Sequence, residues 1–310
     1  MKKVFMLDGG AGRIIAAIPA LRKYVKENPQ DEVSIMIGGW DQLVWGLQDL
    51  QDITYSMDTK GVFDNIVANA DEIISPEPYR VPGYFKQELS LGEAFNVLIN
   101  NTHDHSDLGI PEMILNKNEE LSAAKMIADV KRQQQKQKTI VIQPWGRSAN
   151  RVDDKTIFDD SSRSMSQETY LKLIKKLSTK YNMVLFGEKQ FELPQDTFTF
   201  KPEADLRMWA AFVDAADYFL GCDSLGQHMA RAFNKPGTVI VGSTFAINTT
   251  YPNWFNIIER EGQKKYSPIR ISGLDSHLAD RYNDRCMDFT DEEINKMYAD
   301  IVKDIEQKVK

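Results

Sequence analysis

The chain has 310 residues, of which 42% are hydrophobic and 27% are charged, and its formal net charge is −7 at pH 7. That length exceeds what one core usually fills, so we expect two domains. No uncharged apolar run reaches the ~18 residues that would span a bilayer, which argues against an integral membrane protein. The acidic balance argues against a general nucleic-acid binder, although a local basic groove stays open.

The two cysteines, Cys222 and Cys286, are too few for a disulfide framework and lack the spacing of metal ligands. This cysteine usage is typical of the reducing cytoplasm, where we expect the protein to be located. The opening "MKKVFMLDGG" begins like a secretory leader, but Asp8 interrupts its apolar stretch and no small-residue cleavage site follows. We interpret it as a first buried strand.

The first 40 residues predict a βαβ unit. Short apolar runs at 4–7 and 33–37 flank "RIIAAIPALRKYVKEN", whose apolar residues recur at helical spacing. "NVLIN" at 96–100 predicts a further buried strand, which leads into the polar loop "NTHDHSD". Ligands of parallel α/β folds bind at loops that follow the carboxyl ends of strands, so this loop is a candidate site.

The second half of the chain repeats the alternation of strands and helices, which predicts a second parallel, doubly wound sheet. The polar stretch 130–138 is interpreted as the linker between the domains. Predicted strands lie at 139–142, 182–186, 217–221 and 238–242, and predicted helices lie at 166–180, 205–215 and 225–233.

Two Rossmann-like α/β domains are therefore predicted, one over residues 1–135 and one over residues 136–285. A final amphipathic helix is expected after Thr290, a residue type that favours the helix N-cap. We expect this last segment, 286–310, to pack back toward the first domain.

The first glycine turn follows a predicted strand and opens a helix, so it is a candidate phosphate site. Gly10 and Gly12 match part of the dinucleotide fingerprint, and Asp31 or Glu32 falls near the spacing of a ribose-binding acid. Ile15 stands where the third glycine belongs, which weakens the case for an NAD(P)-dependent oxidoreductase. A tight corner that binds nothing is the plain structural alternative.

A second candidate site follows the predicted strand at 217–221. Asp223 and Ser224 are expected to cap the next helix, whose first amides and positive dipole end would face an anion. His228 lies one helical turn after Ser224. An ordinary N-cap with a histidine packed against the sheet is the alternative. Hydroxyl donors expected from the neighbouring strand are Ser243 and Thr244.

The segment "DSLGQHMARAFNKPGTVIVGSTF" resembles the D-S-x-x-x-H-x-A-x-A-x-x-x-P signature of the heptosyltransferase family, glycosyltransferase family nine. "GRIIAAIPALRKY" is similar to the family's opening, and "VIQPWGRS" and "VLFGEK" follow in the family's order. The resemblance covers most of residues 2–250 but not the stretch 50–130. It implies the GT-B fold, in which two Rossmann-like domains face a cleft, with the acceptor on the first domain and a nucleotide-diphosphate sugar on the second.

The resemblance further implies a metal-independent, inverting sugar transfer without a cofactor, in which a helix N-terminus and side-chain donors stabilise the leaving diphosphate. Arg163 stands where the family has a lysine, and its planar fork is not equivalent to an ammonium group. The candidate donor-binding residues are Gly146, Arg147, Ser148, Arg163, Glu188, Asp223, Ser224, Leu225, Gly226, His228, Ser243 and Thr244.

The catalytic base is the main departure from the family. Arg13 occupies the position of the family's aspartate, and a guanidinium does not act as a base at neutral pH. Asp8 is the first candidate for the base, and His103, Asp104 and His105 in the polar loop are the second. The acceptor-side candidates are Gly9, Gly10, Gly12, Arg13 and Trp40. Trp45 is expected in the core.

Alternatives to transfer onto a saccharide or lipopolysaccharide-type acceptor stay open. The acceptor could be a hydroxymethylated base of viral DNA, or the protein could bind a sugar nucleotide or glycan without turnover. His103 and His105 lie two residues apart but lack a third metal ligand, so we expect no metal site. The sequence predicts no oligomeric state and no basic amphipathic helix for docking on a membrane. Residues that could form a local basic groove are Arg13, Arg80, Lys86, Arg147, Arg151 and Arg163.

Overall fold

Two units, each with its own parallel sheet, make up the chain. The computed structural model describes residues 1–147, 149–152, 157–159, 162–187, 198–260, 265 and 286–309. The contacts divide the chain into residues 1–116 and 117–310. Both units alternate strands with helices, which confirms the predicted α/β class with two parallel sheets.

The first unit is built on a parallel sheet with the strand order β3-β2-β1-β4. Its strands are β1 (Lys2–Leu7), β2 (Glu32–Ile37), β3 (Thr54–Ser56) and β4 (Glu72–Ile74). Its α-helices are α1 (Ala11–Glu27), α2 (Val62–Asn65), α3 (Pro82–Phe85) and α4 (Leu91–Asn100). Single 3₁₀ turns lie at Asp41–Val44, Gln51–Ile53, Val67–Asn69 and Pro78–Arg80.

The predicted strand at 96–100 is wrong, because these residues form the second half of α4. Ser90 and Glu93 make a reciprocal capping box that starts the helix upstream of the apolar run. Ala94, Phe95 and Ile99 are buried, and α4 packs against α1. A short apolar run fits a buried strand or a buried helix segment equally well, and only the cap separates the two.

The second unit is built on a five-stranded parallel sheet with the order β11-β10-β9-β5-β8. Its strands are β5 (Thr139–Gln143), β8 (Asn182–Leu185), β9 (Tyr218–Cys222), β10 (Gly237–Val241) and β11 (Asn256–Glu259), and a separate antiparallel pair consists of β6 (Ala149–Arg151) and β7 (Ile157–Asp159). Its helices are α5 (Lys117–Gln134), α6 (Gln167–Leu177), α7 (Leu206–Ala215), α8 (Leu225–Ala232), α9 (Ala246–Thr249) and α10 (Asp291–Lys308).

The polar stretch 130–138, expected as a linker, begins inside α5, which belongs to the second unit. This helix packs against α7, and a buried ion pair joins them: Arg207 Nε and Nη2 donate to the two carboxylate oxygens of Glu119 at 2.6 and 2.7 Å. Of the polar residues at the end of α5, Arg132 and Gln133 are exposed, whereas the Gln134 side chain bonds to the Met183 backbone of β8.

The last helix, α10, packs within the second unit, whereas the sequence placed it against the first domain. Thr290 is its N-cap and forms a capping box with Glu293. Met297, Ile301 and Ile305 are buried in the same hydrophobic core as the strands β5, β8 and β9. Among the described residues, no helix is both long and apolar enough to cross a bilayer.

Replacement of Ile301 by alanine should destabilise the protein by about 2–5 kcal/mol, because it leaves a cavity in a core position that solvent does not reach. Chemical unfolding of the full chain followed by circular dichroism measures this loss. The exposed Lys303 on the same helix is the matched control, and its alanine variant should stay within about 0.5 kcal/mol of the wild type. Equal stability of the two variants would show that α10 does not pack as described.

Candidate functional site

The second unit has a topological switch point between β5 and β9. These strands are neighbours in the sheet, yet the chain passes through β8 on the far side of β5 before it returns to form β9. The loops that leave β5 and β9 therefore start side by side at the carboxyl edge of the sheet. In open α/β sheets this is the position where ligands bind.

The buried side chain of Gln143, the last residue of β5, ties the two loops together. Its Oε1 accepts from the Gly226 amide at 2.7 Å, and its Nε2 donates to Ser224 Oγ at 3.3 Å. A Cβ at Gly146 would lie 3.4 Å from Ser224 Oγ, so the two turns are in van der Waals contact. Sequence reasoning missed Gln143; a polar residue that closes the apolar strand "TIVIQ" was the available signal.

Asp223 is 3% exposed and its carboxylate is occupied by the protein itself. Gln227 Nε2 and Thr244 Oγ1 each donate to one carboxylate oxygen at 2.9 Å, and Arg163 Nη1 donates to the Asp223 carbonyl at 3.4 Å. Asp223 therefore fixes the turn after β9, which corrects the expectation that it caps α8 or faces a ligand directly.

The hydroxyls after β10 are also used inside the protein. Ser243 Oγ donates to the Ser162 carbonyl at 3.3 Å, and Thr244 holds Asp223. Both residues are fully buried. The expectation that Ser243 and Thr244 present donors to a ligand is wrong for this structure, and their role is to hold the loops in place.

The N-terminus of α8 is less open than expected. Ser224 is the N-cap, but its side chain makes no capping hydrogen bond, and the Gly226 amide is taken by Gln143. Leu225 is buried. Ser224 is half-buried, Arg163 is partly exposed, and the exposed Arg147 directly follows Gly146. A helix N-terminus and guanidinium groups both attract anions.

His228 lies in the second turn of α8 and packs against a tyrosine. Its Nδ1 is 2.8 Å from the Tyr251 hydroxyl, and the two rings meet edge to face. Burial lowers the pKa of His228 to about 4. Of the two smaller effects, that of Asp223 raises the pKa and that of Arg163 lowers it. Burial also raises the pKa of Tyr251. The pair is therefore neutral at pH 7, so His228 contributes a polar but uncharged group.

The first unit has its own switch point, between β1 and β4. The chain runs from β1 outward through β2 and β3 and then returns to the other side of β1 as β4. The glycine turn after β1 and the loop after β4 therefore meet at one edge. Sequence reasoning missed the second loop and its Glu77, because β4 has only three residues and no clear apolar alternation.

Arg13 is held between these two loops. Its side chain is 9% exposed, its Nη1 and Nη2 lie 3.3–3.5 Å from the Glu77 carboxylate oxygens, and its Nη2 lies 3.8 Å from Asp8 Oδ1. Asp8 is 74% exposed. The backbone turns at Gly9, where φ is +96° and an added Cβ would lie 2.9 Å from Arg13 Cδ. Only glycine suits this position.

Of the other acceptor-side candidates, Trp40 joins this group and donates from its indole N–H to the Gly9 carbonyl at 2.9 Å. Gly10 is the N-cap of α1, and Gly12 lies in its first turn. Trp45 is 53% exposed, so its expected place in the core is wrong.

Asp31 and Glu32, the expected ribose-binding acids, lie before and at the start of β2, at the opposite edge of the sheet from the glycine turn. Asp31 instead pairs with the N-terminal amine and accepts from the Tyr24 hydroxyl at 2.6 Å. This placement removes the support for an NAD(P) site.

The His-Asp-His loop does not join the glycine turn. Asn100 donates to the Ala20 carbonyl at 2.9 Å, and Lys23 pairs with Asp107 at 2.6 Å, so the loop lies beside the C-terminal half of α1. At ~1.5 Å per residue, Ala20 and Lys23 are about 14 and 18 Å along the helix axis from Ala11. The expectation that the loop emerges at the carboxyl edge of the sheet is therefore wrong.

Two of the three candidate bases in this loop, Asp104 and His105, are engaged in local hydrogen bonds. The Asn96 amide donates to the Asp104 carbonyl at 3.0 Å, and the same Nδ2 lies 2.9 Å from His105 Nδ1, so this ring nitrogen accepts. Hydrogen bonds from Ser106 hold the pKa of Asp104 below its usual range. His103 is exposed. Asp8 is then the candidate base that lies at the switch point.

Within the described ranges, no group of three His, Cys, Asp or Glu side chains is placed to hold a metal ion. Cys222 and Cys286 are buried, free thiols, and burial raises the pKa of each. Neither offers a thiolate for covalent catalysis. Ser148, Glu188 and the side chain of Arg151 lie outside the described residues.

Replacement of Gly226 by alanine should destabilise the protein by about 1–3 kcal/mol, because the added carbon would lie 2.6 Å from Phe219 and 2.7 Å from Gln143 Oε1. Urea unfolding measures the loss. Gly10 is the control: a Cβ there meets nothing within 4 Å, and its alanine variant should lose less than about 1 kcal/mol. Wild-type stability of Gly226→Ala would contradict the Gln143 contact.

Acidification should lower the free energy of unfolding, because His228 is buried in its neutral form. Its pKa of about 4 in the folded protein is below the ordinary value, so the unfolded chain binds the proton first and stability falls as the pH drops from about 6.5 toward 4. Between pH 7 and pH 5 the wild type should lose about 2 kcal/mol more than His228→Gln in urea unfolding. Parallel pH profiles of the two proteins would contradict the buried neutral state.

Comparison with known proteins finds no matching family model and no matching curated protein. Several solved structures are similar. The ADP-heptose lipopolysaccharide heptosyltransferase II of Escherichia coli has a TM-score of 0.64 at 13% identity, over 98% of this chain and 99% of that one. A family 9 glycosyltransferase of Veillonella parvula has a TM-score of 0.63 at 10% identity, over 97% and 98%.

The iron-containing dodecameric glycosyltransferase TibC of enterotoxigenic Escherichia coli has a TM-score of 0.61 at 11% identity, over 99% of this chain and 78% of that one. Identities this low establish the fold alone. The likeness nevertheless extends over nearly the whole chain, which includes the stretch 50–130 that showed no resemblance in sequence. The chain therefore has the two-sheet α/β fold of heptosyltransferases and family 9 glycosyltransferases.

Proposed function

We propose that the protein is a glycosyltransferase that moves a sugar from a nucleotide-diphosphate donor to an acceptor hydroxyl. The observation that carries this proposal is the arrangement at the β5–β9 switch point, where Gln143 locks Ser224 and the start of α8 against the turn at Gly146. A topological switch point beside a helix N-terminus is a position where phosphate groups bind in open α/β sheets. The shared fold with heptosyltransferases supports this reaction class.

Departure of the diphosphate needs positive charge, and we expect arginines of the second unit to contribute it. Arg163 contacts the Asp223 carbonyl just before α8, Arg147 directly follows Gly146, and the helix dipole adds a positive end. The buried groups Asp223, Thr244 and Gln227 hold the turn that carries Ser224, so the donors are preorganised. We expect the transfer to proceed without an added cation. Because TibC is iron-containing, the assay includes a chelator.

On the acceptor side, Asp8 is the proposed base, with inversion at the sugar carbon. Its exposed carboxylate lies at the switch point of the first unit beside Trp40 and Gly9, where a sugar ring can stack and donate hydrogen bonds. A saccharide is the acceptor class favoured here. A DNA acceptor loses support, because Arg13, one of the basic groups it would require, is buried and ion-paired.

Two structures supply candidates for the donor. Heptosyltransferase II is described as acting with ADP-heptose, and TibC has been crystallised with ADP-D-β-D-heptose, in a structure with a TM-score of 0.62 to this chain. ADP-heptose is therefore the first donor to test. A sugar-nucleotide-binding protein without turnover is the alternative, and Arg13 at the family's base position is the feature that favours it.

Thermal unfolding of the full chain with ADP, UDP or GDP in EDTA tests donor binding. One of them, at 100 times its Kd, should stabilise the fold by ~2.7 kcal/mol and raise the Tm by several degrees. Arg147→Gln should weaken this binding by about tenfold or more, because a charge-assisted contact is lost. The exposed Arg132→Gln, on α5, is the control and should bind as the wild type does.

Release of ADP from ADP-heptose, with and without saccharide acceptors, then separates the enzyme from the silent binding protein. Transfer or slow donor hydrolysis supports the enzyme. Nucleotide binding without any release, on a panel of nucleotide sugars, would favour the silent protein. No thermal shift with any nucleotide would overturn the proposed function altogether.

A further inference from the structure

The Arg13–Glu77 ion pair stands where the family resemblance places a catalytic aspartate. The guanidinium is nine-tenths buried, with the rings of Tyr79 and Phe95 at 5.4 and 5.8 Å from its central carbon. Its Nε is buried and has no hydrogen-bond partner. A buried charge of this kind requires compensation, and the nearest carboxylates are Glu77 and Asp8.

The two carboxylates are not equivalent. Glu77 is 22% exposed; its oxygens face Arg13 at 3.3–3.5 Å, and Oε1 also accepts from the Tyr79 amide at 3.2 Å. Both of its oxygens are therefore engaged in contacts within the protein. Asp8 touches Arg13 only at 3.8 Å and points to solvent. Glu77 thus carries most of the pairing with Arg13.

The local charge follows from this division. One guanidinium faces two carboxylates, which leaves one net negative charge at the edge of the first sheet, carried by the exposed Asp8. The residues that face Arg13 from α4 and from the turn after Glu77 are the uncharged rings of Phe95 and Tyr79. Without Glu77, Arg13 would have Asp8 as its remaining carboxylate and would draw it into a close ion pair.

We propose that Glu77 is a positioning residue that occupies Arg13 and so keeps the Asp8 carboxylate exposed and out of a close ion pair. This rests on the proposed function, in which Asp8 is the base. In that reaction the acceptor O–H proton moves to an Asp8 oxygen while the acceptor oxygen bonds to the anomeric carbon. The bond from that carbon to the diphosphate oxygen breaks, and its electron pair leaves on the nucleoside diphosphate.

Charge-neutral isosteres test the proposal. In Glu77→Gln, Asp8 is the remaining carboxylate beside Arg13, so the titration midpoint of the Asp8 carboxyl should fall by about half a unit to one unit. Arg13→Gln leaves Asp8 with Glu77 and no cation, so the midpoint should rise by a similar amount. The double variant, with two neutral amides, should return it close to the wild-type value.

Selective ¹³C labelling of aspartate and NMR titration of the full chain measure these midpoints, with Asp8→Asn to assign the signal. The kinetic readout is ADP release from ADP-heptose, with water as acceptor. In Glu77→Gln, kcat should fall about two- to threefold with the KM for donor unchanged, and the acidic limb of the pH profile should move to lower pH. If Glu77 had only a structural role, its replacement would move neither the acidic limb of the pH profile nor the titration midpoint of Asp8.

Glu112→Gln is the matched control, because Glu112 pairs with Arg22 on the same helix, nine residues after Arg13. It should leave the Asp8 midpoint and the kinetics unchanged. If Glu77→Gln does not fold, the double variant decides, since it buries no unpaired charge. Near-wild-type kcat and midpoint there support the proposal, whereas loss of activity would assign a direct role to Arg13 and overturn it.

The outcomes also separate this proposal from the proposed function. If the wild type binds no nucleotide and releases no nucleoside diphosphate, the function fails, while the NMR titration still reports whether Glu77 controls Asp8. The wild type can instead turn over the donor while the two single variants shift the Asp8 titration midpoint in the same direction, or not at all. In that case the proposed function stands and the role of Glu77 is overturned.

Discussion

The buried amide of Gln143 is the interaction on which the candidate donor site depends. Its carbonyl oxygen accepts from the Gly226 amide and its nitrogen donates to Ser224, so one side chain from β5 holds the start of α8. A buried amide left half-satisfied is costly, so both bonds must form together. The position of the turn after β9 is therefore set by the neighbouring strand, and a ligand does not have to order it.

This arrangement requires α8 to approach the sheet closely, and glycines around Phe219 make that possible. A Cβ at Gly221 or Gly226 would lie 2.5–2.6 Å from the Phe219 ring, and one at Gly237 would lie 2.7 Å from its carbonyl oxygen. The Phe219 ring fills the space that these side chains would take. Gly226 thus serves packing and the Gln143 bond, rather than the approach of a ligand to an open helix end.

The alternation of strands and helices in the second half was predictable, because long apolar and amphipathic periods dominate there; the predicted and observed bounds of β5 and α8 differ by one residue. In the first unit, α4 was mistaken for a strand, and Glu77 was missed on the loop after a three-residue strand. The sequence placed Asp223 and Thr244 near each other. It could not show that they bond to one another, because hydrogen-bond partners are set by tertiary packing.

The two switch points differ in their electrostatics in a way that matches two different tasks. At β5–β9, the carboxylate of Asp223 is buried and satisfied, Ser224 is half-buried, and Arg147 after the neighbouring strand is exposed. At β1–β4, the arginine is buried and the exposed group is the carboxylate of Asp8. An exposed cationic edge favours a departing diphosphate, whereas an exposed carboxylate favours removal of a hydroxyl proton. At each switch point the buried charge and the exposed charge therefore have opposite signs: Asp223 and Arg147 in the second unit, and Arg13 and Asp8 in the first.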